Sequence, residues 1–162
     1  MSDISVIARH ALTVLAGQLA VMAFGVTDTI VAGRFSADAL AALSVASAVF
    51  VSVYVSLMGV LQALLPVWAE QHGRGETAAI GQSFRQSLYL AAAASVLGMG
   101  VLLFPEPLLR LTEVPDAMRE SVRDYLIIVG WALPSALFFR LYTTLNQALG
   151  RPQLVTWIQV GA

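Results

Sequence analysis

The chain has 162 residues, 58% of them hydrophobic and 12% charged, with a mean hydropathy of +0.78 and a formal net charge of -1. Soluble domains average about 45–50% apolar and about 25% charged residues, so lipid is the expected solvent, and the near-zero charge carries no nucleic-acid signal. Cysteine is absent and the two histidines, His10 and His72, stand far apart, which excludes thiolate chemistry and leaves no pattern for a metal or other cofactor.

A helix needs about 20 apolar residues to cross a bilayer, where every backbone polar group has to be satisfied internally. Four segments reach that length, at about 11–32, 41–69, 86–104 and 125–149. The first is longer than a signal-peptide core and shows no small-residue cleavage site, so it reads as an uncleaved span. The second closes near Pro66 and Trp68 and contains VFVSVYVS at 49–56. That alternation suggests a strand in a soluble protein, but a lone strand leaves open edges in lipid, and the apolar flanks favour helix. The third span is closed by PEP at 105–107, and EPLLRLTEVPDAMRESVRDY is expected to begin as an interfacial turn and continue as helix from Pro115. The fourth span has Pro134 inside it. A fifth segment, 153–162, opens at QLVTWIQVGA and stops, which suggests a fragment.

These spacings describe an all-α membrane protein: an antiparallel transmembrane helix bundle of four complete spans plus the start of a fifth, in one unit over 1–162. Arg9, Arg74, Arg85 and Arg151 fall on one side and Arg34, Arg110, Arg119 and Arg123 on the other. The positive-inside count is therefore level, and charge alone leaves the orientation open. No nucleophile stands beside a base and an orienting partner, so no enzyme is expected.

The first span has two arcs. At 100° per residue, Leu12, Leu15, Leu19, Met22, Val26 and Ile30 share one, and Val14, Gly17, Gln18, Val21, Gly25, Asp28 and Ala32 the opposite one. The second arc, with glycines, an amide and a carboxyl group, suits contact with protein or a cavity. Asp28 is thus expected to look inward. A carboxylate at membrane depth is costly and usually marks an ion or proton pathway, since burial disfavours the charged form and a cation restores it. The alternative is an interfacial Asp28 that caps a helix end or pairs with Arg34.

The fourth span carries Arg140, Tyr142, Thr143, Thr144, Asn146 and Gln147. Arg140 either pairs with Asp28 or snorkels to the headgroups; Asn146 and Gln147 either neighbour a bound ion or substrate or bond to another helix. Trp68, Trp131 and Trp157 fit span ends or aromatic anchoring, and the serines at 44, 47, 52 and 56 fit packing in preference to a pathway.

The ordered set GQLAVMAFGVTDTIVAGRFSADALAALSVASAVF, LMGVLQALLPVWAEQHGRGE and QALGRPQLV resembles the N-terminal region of multidrug and toxic compound extrusion (MATE) transporters. The last of these resembles the junction between the family's fourth and fifth spans. The resemblance implies a twelve-span transporter of the bacterial inner membrane, built from two six-span lobes, that exports organic, often cationic, compounds in exchange for H⁺ or Na⁺. It places Asp28 at the family's first-span acid, which is proposed to take up the coupling cation; the reading of the residues themselves adds Gln18, Arg140, Asn146 and Gln147 as candidate cavity or ion-site neighbours. The chain departs from the family in the fourth span, where some members have an acid and this chain has Gln147, or Asn146. The partners implied are the lipid bilayer, a small organic substrate, and the remainder of the transporter. The alternatives are a small four-span transporter working as a homodimer, and a non-transporting membrane remnant or interaction protein.

Overall fold

A computed structural model describes residues 3–111, 115–151 and 155, and within 3–21 it describes the side chains of Leu12, Leu15, Gln18 and Leu19. Among the described residues six helices run to Ala148: α1 (Asp3–Phe35), α2 (Ala37–Gln62), α3 (Leu64–Gly73), α4 (Thr77–Leu103), α5 (Glu106–Leu111) and α6 (Asp116–Ala148). The described residues contain no strand, and VFVSVYVS lies inside α2. Ala37–Gly73, Thr77–Leu103 and Asp116–Ala148 are each long and apolar enough to cross a membrane. The chain is an all-α membrane helix bundle. Of the fifth segment only Val155, helical and buried, lies among the described residues.

Local chemistry sets the joints. Ser36 adopts an extended conformation between α1 and α2, and its Oγ accepts the Ala39 N–H at 2.9 Å, capping α2. The second helix runs on through Ala63, which keeps helical angles (φ -61, ψ -15), and through Pro66 to Gly73. Pro66 has no N–H to offer the Gln62 carbonyl and its ring crowds that carbonyl, so the helix is weakened just upstream of the proline and does not end there. Gly75, at φ 73, makes the left-handed turn into α4. Pro115 begins α6, and Arg123 reaches back to Glu106 at 3.4 Å, tying α5 to α6. Both side chains are about half exposed, so this ion pair contributes at most about 1 kcal/mol.

The core is a seam of α2, α4 and α6. Val122, Leu126, Gly130, Leu133, Leu137, Leu141 and Thr144 recur at helical spacing and are all buried on one stripe of α6. Gly98 and Gly130 let the helices close: a Cβ at Gly98 would overlap the Leu133 side chain and lie 2.6 Å from Leu57 Cδ1, and one at Gly130 would lie 3.2 Å from Leu102 Cβ. Two expectations need correction. Trp68 is no interfacial anchor but is fully buried, 6.1 Å from Phe84 between ring centroids. Ser44, Ser52 and Ser56 are exposed, and each donates its hydroxyl to the carbonyl four residues earlier.

Candidate ion-binding groove beside the first helix

Asp28 stands seven residues before Phe35, inside α1, so it caps no helix end. Thr27 and Thr29 on either side donate their hydroxyls to the Ala23 and Gly25 carbonyls, each at 2.8 Å, and are thereby occupied by their own helix. The ion pairs found among the described residues are Arg74–Glu70, Arg119–Asp116 and Arg123–Glu106, so Arg34 does not pair with Asp28. The carboxylate instead borders a groove of about 420 Å³ formed by Val31, Ala32 and Phe35 of α1, Ala39 and Leu43 of α2, and Tyr125 of α6. Asp28 and Tyr125 thus border the same otherwise apolar, open hollow, which α1, α2 and α6 line.

The residues of the expected inward arc line different hollows. Asp28 and Ala32 line the groove shared with α2 and α6, whereas Gly25 lines a separate hollow with Met22, Val26, Thr29 and Ile30, and a Cβ on Gly25 would meet nothing within 4 Å. Asp28 itself is exposed, as is every residue from Met22 to Val31. Val14, Gly17 and Val21 fall outside the described side chains.

The remaining candidates lie elsewhere. Tyr125 borders the Asp28 groove, and Arg140 follows it by fifteen residues on the same helix. At about 1.5 Å rise per residue this sets Arg140 roughly 22 Å further along, so the structure does not bring the two charges together. Arg140 is half-buried, with Nε buried and lacking a protein partner. Asn146 is buried and donates to the Tyr142 carbonyl of its own helix at 2.8 Å. Gln147 is exposed, and Gln18 is exposed on α1, ten residues before Asp28. Tyr125 is the groove residue that reading the sequence missed. Its signal was faint: one half-buried aromatic hydroxyl at the entry to the fourth span.

The MatE family model matches residues 14–162. The chain belongs to the MatE family. Among the relatives of this MatE chain, a probable multidrug resistance protein NorM of Aromatoleum aromaticum is 38% identical over 150 residues, covering 93% of this chain and 32% of the relative. A probable multidrug resistance protein NorM of Neisseria meningitidis serogroup B is 28% identical over 164 residues, 100% of this chain and 36% of its own. The multidrug resistance protein MdtK of Pectobacterium atrosepticum is 35% identical over 133 residues, 81% of this chain and 29% of its own. The MatE chain therefore spans about a third of the length of the curated relatives it matches. No solved structure gives a significant match.

Proposed function

We propose that this chain forms part of a multidrug antiporter of the bacterial inner membrane, exporting organic, often cationic, compounds in exchange for H⁺ or Na⁺, with Asp28 taking up the coupling cation. The observation that carries this reading is the Asp28 groove: a carboxylate with no protein partner among apolar walls, with the Tyr125 side chain on the facing helix. Once a proton or Na⁺ neutralises it, the carboxylate can lie against Val31, Ala32 and Leu43; once emptied, it needs water or another cation. A group whose favoured surroundings change with its load is what exchange requires, because a ligand shifts a conformational equilibrium only by binding its two states unequally. Tyr125 can offer its hydroxyl hydrogen to the carboxylate or its oxygen to a bound cation. The family membership and the multidrug resistance names of the relatives support the export of organic compounds and a carrier in place of an enzyme.

The test is infrared difference spectroscopy of the full-length protein in membranes, with Asp28→Asn identifying the carboxyl band. Adding Na⁺ or a lipophilic organic cation should perturb the carboxyl band that Asp28→Asn removes. A band unmoved by either addition would take Asp28 out of the exchange.

A further inference from the structure

Among the described residues the buried side-chain polar atoms without a protein partner are Trp68 Nε1, Gln71 Oε1 and Arg140 Nε, and all three fall in the half of the bundle away from Asp28. Leu57 and Leu133 both meet the position of Gly98, so they lie about level. Counting along the helices from there, Arg140 comes beside Ala63 and Thr144 beside Trp68. Trp68 and Gln71 stand about one turn apart on α3. The side-chain bond from α3 to α4, Gln71 Nε2 donating to Ser83 Oγ, is long at 3.3 Å.

Two opposed contributions therefore meet on one ten-residue helix. Burial of the whole Trp68 side chain against Phe84 holds α3 on the bundle, while each unpaired buried polar group favours any arrangement that admits water. The helix is continuous through Ala63 but is weakened there by the proline that follows. The Ala63 N–H still bonds to the Gly59 carbonyl at 3.1 Å, but Pro66 denies the Gln62 carbonyl its donor in the next turn. Water is at hand, since Glu70, His72, Arg74 and Glu76 at the tip are exposed. We propose that α3 pivots at Ala63 between the packed arrangement seen here and one in which its seam with α4 and α6 is hydrated. Opening satisfies Trp68 Nε1, Gln71 Oε1 and Arg140 Nε with water, and closing buries the Trp68 ring, so each arrangement has a term in its favour. It works at the opposite half of the bundle from Asp28 and independently of it.

Amide hydrogen exchange of the full-length protein in lipid nanodiscs tests the pivot. Amides of 67–73 should exchange roughly tenfold faster than those of 78–88, the facing turns of α4 at the same depth. Gln71→Leu/Ser83→Ala removes the Gln71 Oε1 contribution and the Ser83 partner of Gln71 while leaving Trp68 Nε1 and Arg140 Nε, and it should slow α3 part of the way towards the α4 rate. The chain has no cysteine, so a disulfide between Gln71→Cys and Ser83→Cys is unambiguous; forming it should abolish the difference, and reducing it should restore the difference. Equal exchange in α3 and α4 of the unsubstituted protein overturns the proposal, and so does a faster α3 that neither the apolar pair nor the disulfide slows.

Discussion

Asp28→Asn in the full-length transporter is expected to reduce ion-coupled efflux by on the order of 100-fold, to the uncoupled background, while the protein still inserts and folds. Asparagine keeps the size and polarity of the side chain but binds neither a proton nor Na⁺ as a carboxylate does. Asp28 is exposed in α1 and holds no ion pair or capping bond, so folding should change by no more than about 0.5 kcal/mol. Efflux is to be read as drug-dependent counterflow in proteoliposomes, with membrane-fraction yield and helix content as controls for insertion. Normal counterflow would remove Asp28 from the mechanism. Tyr125→Phe, which takes away one hydroxyl beside the same groove, should cost less, roughly tenfold, consistent with losing one hydrogen bond to a charged group. An equal loss in both variants would mean that the groove had collapsed and the ion site had not been altered selectively.

Gly98→Leu is the second large effect, and it falls on assembly. Gly98 is buried where α2, α4 and α6 meet, and even a methyl group there would overlap the Leu133 side chain and press on Leu57. Leu133 is fully buried on the stripe that also holds Leu137 and Leu141, so it has little room to yield. Gly98→Ala should cost about 1–3 kcal/mol by overpacking, and Gly98→Leu more than about 3 kcal/mol, enough to lose the monodisperse protein in mild detergent. Gly81→Leu makes the same change on the same helix where a Cβ meets nothing within 4 Å, and it should leave size-exclusion and melting profiles near those of the parent. If Gly98→Leu behaved like Gly81→Leu, the close approach of the three helices would be wrong.

The contrast between Gly98 and Gly25 shows where reading the sequence stops. Both glycines lie in apolar helices, and the arc of the first span favoured Gly25 as the packing position. Among the described glycines the closest approach is instead at Gly98, because glycine in a lipid-facing composition signals close approach only if another helix arrives at that height. Arg140 teaches the same lesson about charge: it was an available partner for Asp28 on composition, and about 22 Å of helix separates it from Tyr125, which does border the groove. Trp68 fits a span end or an aromatic anchor on sequence, and α3, continuing past Pro66, folds that ring into the core.

The sequence by itself determined the all-helical membrane character, because apolar runs of bilayer length leave the backbone no other way to satisfy its polar groups in lipid. It also carried the family, in motifs whose order spans nearly the whole chain, and the residues behind the weak point at Ala63, since the chemistry of Pro66 is local. Tertiary structure alone decided that Tyr125 shares a groove with Asp28, that Gly98 takes the closest approach among the described glycines, and that unpaired polar atoms gather around α3. Helical periodicity tells which residues share a face of one helix, whereas the partner of that face and its depth depend on side chains far away in the chain.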